Sequence, residues 1–276
     1  KLPMTNSTSL KTIPENCMNN LTSLTSATTG YVVDVEGCND MPNLTTLRIE
    51  SSCEIVNGFN NCPKLKSLSF MGDGKVKEIG GLNNNAITTF YIPNMALSVS
   101  GVNNCSALTT VVIGASLTSF TGFNNCPKLN KFTVDSSNTT FKVVDNNLCQ
   151  GNKLCRVPMS KSDIVVTNGT TEIMSNAIQI AFVNSISIPN GCILANDSIK
   201  CQSVGQIILH TSFNTETGKY NNLTMTDFST LDNVQVGTIF TYGNGITDTT
   251  NANCLPIVKY CIEHNINYVD MNETNT

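Results

Sequence analysis

GFNNCPKL at residues 58–65, GVNNCSAL at 101–108 and GFNNCPKL at 122–129 are near-copies of one phrase, and GLNNNAI at 81–87 is a shortened fourth copy. Self-similarity at this spacing is typical of a repeat protein, in which each unit buries its apolar side against the next. The phrase therefore predicts a stack of coils instead of a globule with a single core.

Apolar positions that follow each phrase set the register of the stack. They recur at steps of about 21 residues, within the range of leucine-rich repeats, at Leu47, Leu68, Phe90, Val111 and Phe132. A second apolar position lies two residues further on, and this period-2 alternation predicts a short strand with one buried face. Runs at 31–35, 75–79 and 116–120 predict a second short strand in each coil.

The side chains between these apolar positions are expected to point away from the core. Most are Ser or Thr, and Tyr and Arg among them are the types that most often anchor protein interfaces. We consider six outward positions as candidate ligand-binding residues: Arg48, Ser69, Tyr91, Val112, Lys131 and Thr133. The alternative interpretation is that they are ordinary solvent-facing strand residues.

The Gly-x-Asn-Asn-Cys part of the phrase has the composition of a tight corner, because Gly and Asn both tolerate a left-handed backbone. Stacking would place identical residues above one another, so we expect ladders of Asn and Cys. Cys62, Cys105 and Cys126 are predicted to be buried free thiols. Disulfides between Cys149 and Cys155 and between Cys192 and Cys201 are compatible with the sequence but not established by it.

The repeat is interrupted once and then returns. Residues 141–148 and 153–158 predict a hairpin with Gly151-Asn152 in its turn, and buried pairs beginning at Ile164, Ile186 and Ile207 restore the period. No repeat register can be assigned to residues 213–245. Helical spacing over 256–264, followed by a short strand at 266–269, predicts a cap for the end of the stack.

We therefore predict a mainly β chain, a leucine-rich-repeat solenoid of stacked two-strand coils with an inserted hairpin and a small C-terminal cap. The whole of 1–276 is expected to be one domain. Its parts are regular coils at 1–134, the hairpin insertion at 135–160, further coils at 161–212, and an irregular coil with the cap at 213–276.

Three of these features together resemble the BspA-like leucine-rich repeat family: the Asn-Cys-Pro-x-Leu units, the FKVVDNNL hairpin at 141–148 and the SIPNG strand at 187–191. The resemblance covers roughly residues 15–210. Members of that family are commonly surface proteins of microbes and mucosal protozoan parasites, linked to adhesion and cell aggregation. The resemblance thus implies a cell-surface or secreted adhesin that contacts a host extracellular matrix or cell-surface protein, with self-association as a further possibility.

Composition excludes several classes of partner. The 276 residues are 13% charged and carry a net charge of −4, so no broad basic field favours nucleic acid or anionic lipid. No apolar run approaches the ~18 residues that span a bilayer. The chain begins at Lys1, and we expect that an export leader or an anchor lies outside it if the protein is secreted.

The sequence offers little support for an enzyme. His210 and His264 are the two imidazoles, each at the end of a predicted element, and nucleophile-elbow, phosphate-loop and zinc-protease motifs are missing from the sequence. We therefore expect no cofactor, no metal and no catalysis. Two functions of different class are left: a surface adhesin, and an intracellular or structural scaffold of the same fold whose cysteines stay reduced.

Overall fold

The computed structural model describes residues 2–3, 11–14, 17–72, 75–210, 213–214, 219–220, 225, 227–242 and 256–271. The chain forms two compact units, unit 1 at residues 1–143 and unit 2 at residues 144–276. That residues 1–276 act as one domain stays a prediction, which a single cooperative unfolding transition would support.

Unit 1 is built from short strands. In chain order these are β1 (Leu2–Pro3), β2 (Thr12–Ile13), β3 (Ser26–Thr28), β4 (Asp34–Val35), β5 (Thr46–Ile49), β6 (Ile55–Asn57), β7 (Ser67–Phe70), β8 (Glu78–Gly80), β9 (Thr89–Tyr91), β10 (Ser98–Val99), β11 (Thr110–Ile113), β12 (Ser119–Phe120), β13 (Lys131–Val134) and β14 (Phe141–Val144), the last of which reaches the boundary with unit 2.

The strands of unit 1 alternate between two sides of the stack. The even-numbered strands β2 to β12 form one six-stranded parallel sheet, and the odd-numbered strands form two parallel sheets, β1-β3-β5-β7 and β9-β11-β13. Each coil therefore contributes one strand to each side, which confirms the predicted two-strand coil. The apolar register is also confirmed, because Leu47 lies opposite Leu68, and Val111 lies between Phe90 and Phe132.

The second strand of each coil is shorter than the sequence predicted. Residues 31–35 were expected to be extended, but the strand covers only Asp34–Val35. Gly30 has a φ of 66° and places a turn there, which leaves Tyr31 64% exposed. A coil of about 21 residues must turn at both ends of each strand, so little length is left for pairing.

Glycine at the corner lets successive coils approach closely. A Cβ atom on Gly81 would lie 2.7 Å from the backbone nitrogen of Gly58, and one on Gly122 would lie 2.9 Å from that of Gly101. Both residues also have a positive φ. Any larger residue would force the coils apart, so the predicted role of glycine in the corner is confirmed.

An inner row of Asn side chains links the corners, as predicted. The Oδ1 atom of Asn39 accepts a hydrogen bond from the backbone N–H of Asn60 at 2.9 Å, and Asn103 accepts one from that of Asn124 at 2.9 Å. The same bond joins Asn60 to Asn83 at 3.2 Å. Backbone donors at this turn are thereby satisfied by the preceding coil, which fixes the stacking distance.

The neighbouring outer row of Asn has a different function in the corner. Asn61, Asn84, Asn104 and Asn125 all have a φ between 53° and 57°, a left-handed conformation that Asn tolerates better than most residues. Their exposed side chains also bond between coils, for example Asn125 Nδ2 to Asn104 Oδ1 at 2.9 Å.

Cysteine fills the interior of the corner. Cys62, Cys105 and Cys126 are buried free thiols, as predicted. Burial raises the pKa of Cys62 to about 11, and a hydrogen bond with Cys126, together with burial, raises the pKa of Cys105. In the shortened phrase Asn85 takes the place of Cys, and its buried side chain bonds to Leu82 and Ile87 instead.

Unit 2 contains longer strands and a helix. These are β15 (Asn147–Gln150), β16 (Lys153–Arg156), β17 (Asp163–Val165), β18 (Glu172–Ile173), β19 (Phe182–Pro189), β20 (Ile193–Leu194), β21 (Ser203–His210), β22 (Phe213–Asn214), β23 (Lys219–Tyr220), β24 (Gln235–Thr241), α1 (Pro256–Glu263) and β25 (Asn267–Asp270). A 3₁₀ turn lies at Ser229–Leu231.

The main sheet of unit 2 is parallel, in the order β17-β19-β21-β24-β25. Ile186, Ile207 and Ile239 lie opposite one another in its buried row. The stretch without a predicted register thus returns to the stack at β24. The predicted terminal helix and strand are confirmed as α1 and β25.

The hairpin insertion is confirmed in part. Strands β15 and β16 pair antiparallel around Gly151-Asn152, as predicted. The expected single run over 141–148 is wrong, because Asp145 and Asn146 have φ values of 50° and 63° and divide it into β14 and β15. Cys149, Cys155, Cys192 and Cys201 are free thiols in the structure, so neither of the two disulfides considered is formed.

Candidate functional site

All six candidate residues lie on the odd-numbered strands of unit 1, on the side opposite the buried row. Arg48 lies opposite Ser69 in the sheet that ends with β7. Tyr91, Val112 and Thr133 form one row across β9, β11 and β13. We call the outward side of these strands the strand face of unit 1.

The six residues differ in how much of each side chain is available. Tyr91 is 61% exposed, while Val112 and Thr133 are half-buried. Lys131 and Ser69 are exposed.

Arg48 is already paired. Its Nε atom lies 2.9 Å from Oε1 of Glu50. The pair is exposed and contributes little to stability, but it directs the guanidinium group along the strand face.

A cleft lies over the strand face along β7, β9, β11 and β13, and β7 and β9 do not pair at this point. Its volume is about 670 Å³, within the usual size of a ligand site. Ser69, Tyr91, Val112 and Thr133 line it. The structure therefore brings four of the six candidates together, with Arg48 and Lys131 outside the lining.

The coil beside the cleft contains extra residues. About 22 residues separate Leu68 from Phe90, and about 23 separate Val56 from Ile79, against about 21 between Leu47 and Leu68. The additional length falls after β7, near Gly72, whose φ is 64°. The irregular step is visible in the sequence and is the signal that could have located the cleft.

Unit 2 has a strand face of its own, which sequence reasoning missed. Its outward row crosses the parallel sheet at Val165, Ser187, Ile208, Phe240 and Val269. Val165 is 60% exposed, and Phe182, further along β19, is 69% exposed. The register predicted from Ile164, Ile186 and Ile207 already implied the outward positions Val165, Ser187 and Ile208. The remaining two positions, Phe240 and Val269, depended on the register beyond residue 213, which was not fixed.

The two histidines have structural contacts. The ring of His210 stacks on Tyr242 with centroids 5.3 Å apart, and burial lowers its pKa. His264 follows α1 and places Nδ1 2.9 Å from the carbonyl oxygen of Tyr260. Across the described ranges, no group of three His, Cys, Asp or Glu side chains is placed to bind a metal ion.

Comparison with known proteins gives a clear result only for structure. No protein-family model matches the chain. No curated protein matches it either.

Two solved structures are similar over most of the chain. A leucine-rich repeat protein from Eubacterium ventriosum ATCC 27560 has a TM-score of 0.57 at 13% identity and covers 84% of this chain and 81% of its own. A leucine-rich repeat protein from Bacteroides ovatus ATCC 8483 has a TM-score of 0.52 at 16% identity and covers 83% of this chain and 72% of its own. The chain therefore has the leucine-rich-repeat solenoid fold that the sequence predicted.

No helix among the described residues is long and apolar enough to cross a membrane. The one helix bounded in the structure is α1, which has 8 residues.

Proposed function

We propose that this chain is a non-catalytic protein-binding repeat domain, a BspA-like adhesin exposed at the cell surface or secreted. It contacts a host extracellular matrix or cell-surface protein through the strand face of unit 1. The observation that carries the proposal is the row of Tyr91, Val112 and Thr133 beside a cleft of about 670 Å³. The resemblance of the repeat units to surface leucine-rich repeats supports the location.

The chemistry of the face suits a protein partner. Tyr91 offers a large, stiff, amphipathic ring, and Arg48 offers a planar cation, the two types enriched at interface hot spots. The Ser and Thr around them supply hydrogen-bonding groups without a strong charge. Recognition would therefore depend on shape and hydrogen bonds more than on long-range attraction.

The test is binding of the purified chain to immobilised extracellular-matrix proteins and to whole host cells. A variant with Arg48→Ala, Tyr91→Ala and Lys131→Ala is compared with one carrying Tyr31→Ala, Lys64→Ala and Lys77→Ala. Each variant removes two cations and one exposed Tyr, but only the first alters the strand face. Saturable binding that is lost in the first variant and kept in the second supports the adhesin. Equal binding by both variants contradicts use of this face.

The scaffold function is favoured by one observation. Cys17, Cys38, Cys53 and the other described cysteines are free thiols, which is the state expected in a reducing compartment. Antibody labelling of intact and permeabilised cells separates the two functions. Labelling of intact cells supports the adhesin, and labelling only after permeabilisation supports the scaffold.

A further inference from the structure

The cleft beside β7 exposes two unpaired strand edges. Strand β7 is the last strand of one sheet, and β9 is the first of the next. Elsewhere in unit 1 the corresponding strands pair in continuous register, as β5 does with β7 and β9 with β11.

The backbone hydrogen bonds between β5 and β7 show which residues of β7 face the cleft. Ser67 and Met71 donate their N–H groups to Thr45 and Ile49 of the preceding coil, at 3.1 Å and 2.9 Å. Successive residues of a strand point their N–H and C=O groups to opposite edges. Leu68 and Phe70 therefore direct theirs toward β9.

Strand β9 forms the other wall of the cleft and also directs backbone groups toward it. On β9, Ile92 donates to Val112 at 2.8 Å, and the carbonyl oxygen of Thr88 accepts from Thr109 at 2.8 Å, so these residues face β11. Thr89 and Tyr91 consequently direct their backbone groups toward β7. Within residues 17–72 and 75–210, no strand pairs with either edge.

The interior of the cleft is apolar and unusually open. Leu68 and Phe70 are half-buried, although the equivalent Leu47 and Ile49 of the preceding coil are fully buried. Pro93 and Val112 add further apolar lining. A buried apolar row thus reaches the surface at the one place where the ladder of the strand face is interrupted.

Among the described residues that line the cleft, one is charged. Asp135 lies in the wall of the cleft and is exposed, and its Oδ1 atom accepts a hydrogen bond from the backbone N–H of Ser137 at 2.8 Å. A cation arriving along the cleft would meet this group.

We propose that the cleft binds an extended peptide segment of a partner protein by strand addition between β7 and β9. The backbone of the segment pairs with Leu68, Phe70, Thr89 and Tyr91, and alternate apolar side chains enter the cleft. A basic residue beyond the paired part of the segment reaches across the ends of β9 and β11 toward Asp135. Unpaired edges on both walls favour backbone over a small molecule, since only backbone offers donors and acceptors at the required repeat. The proposal rests on the proposed function and names the form that its partner takes.

The test uses the full chain and a defined probe, the capped peptide acetyl-Lys-Thr-Val-Thr-Val-Thr-Lys-amide. Its two Lys residues allow either strand direction. We expect saturable changes in the amide NMR signals of cleft residues and at least about tenfold slower hydrogen exchange at Leu68, Phe70, Thr89 and Tyr91. The same peptide with both Val nitrogens methylated lacks donors on one edge and should not bind.

Two variants test the proposed contact between a basic residue of the peptide and Asp135. Asp135→Asn keeps the bond to Ser137 and should weaken peptide binding severalfold. Glu54→Gln removes a carboxylate that pairs with Lys77 in unit 1, and it should leave peptide binding unchanged. Equal affinity of both variants for the peptide overturns the assignment of a basic residue to Asp135.

Binding by the methylated peptide, or unchanged exchange at all four amides with millimolar peptide, overturns strand addition. Either result is separate from the binding test with matrix proteins and cells. If the chain binds a matrix protein but no amide of the cleft is protected by the peptide, the proposed function stands and the strand-addition inference is wrong.

Discussion

The corner and the strand face behave differently at the same boundary between coils. Between the coils that contain Asn60 and Asn83, the corner is continuous: Asn83 donates from its backbone and from Nδ2 to Oδ1 of Asn60, at 3.2 Å and 2.8 Å. On the strand face the same two coils do not pair, and the cleft opens between β7 and β9.

This difference shows how a solenoid can accommodate extra residues. The corner keeps Asn at its inner position in successive coils because each Asn side chain satisfies the backbone of the next coil. The strand face is held by its buried row, so its outward residues vary and even its ladder can be interrupted. We expect stability to depend on the corner and binding to depend on the face, and each prediction below tests that division.

The largest expected effect concerns thiol reactivity in the corner. Burial raises the pKa of Cys38 to about 12 and that of Cys62 to about 11. Only about one in 10³ molecules with a pKa of 11 is a thiolate at pH 8, and burial slows access further. Iodoacetamide at pH 8, followed by mass spectrometry, should modify exposed Cys17 at least about 10²-fold faster than Cys62. Comparable rates in the folded chain would show that the corner opens readily.

Phe123 should make the largest contribution to stability within the phrase. It is fully buried, and its ring stacks on Phe120 with centroids 4.6 Å apart. Phe123→Ala leaves a cavity that should cost about 3–5 kcal/mol in the free energy of unfolding, measured by urea denaturation. The matched change Tyr91→Ala on the strand face should cost less than about 1 kcal/mol, because that ring is 61% exposed.

The inner Asn row should matter more than the outer row. Asn60→Ala leaves the backbone N–H of Asn83 without its acceptor and should cost about 1–3 kcal/mol. Asn61→Gly removes an exposed side chain but keeps a residue that tolerates the φ of 56°, so we expect a change of about 0.5 kcal/mol or less. If both variants unfold at the same urea concentration, the inner row does not hold the coils together.

The smallest expected effect is that of Arg48→Ala on stability. The pair with Glu50 is exposed, and such pairs contribute about 0–1 kcal/mol. A thermal unfolding midpoint within about 2 °C of the parent chain is therefore expected. A much larger shift would mean that Arg48 supports the fold and is not free to bind a partner.

Sequence alone predicted the repeat, the buried row of the strands and the stacking of Asn and Cys at the corner, because these features depend on residues that recur at a fixed step. Leu47, Leu68 and Val111 give the register directly, and the Asn-Asn-Cys corner gives the turn. The solenoid fold follows from these local rules.

The features that sequence reasoning missed depend on departures from the step. The cleft lies beside a coil that is longer than its neighbours by one or two residues, and the part of the unit 2 outward row on β24 and β25 depends on β24 returning to register about 32 residues after β21. Whether strands pair across such an irregular coil is decided by loop conformation near Gly72, which a repeat pattern does not encode. For the same reason, the repeat pattern predicted six candidates on the strand face of unit 1 but did not show that four of them line one cleft.

The most direct test of the division between corner and face is residue-resolved amide hydrogen exchange of the free chain. Leu47 and Ile49 of β5 and the equivalent Leu68 and Phe70 of β7 differ chiefly in whether a neighbouring strand accepts their N–H groups. We predict strong protection at Leu47 and Ile49 and at least about tenfold weaker protection at Leu68 and Phe70. Equal protection at all four amides would contradict the account, because it would mean that the ladder of the strand face continues from β7 to β9 and that no cleft is open.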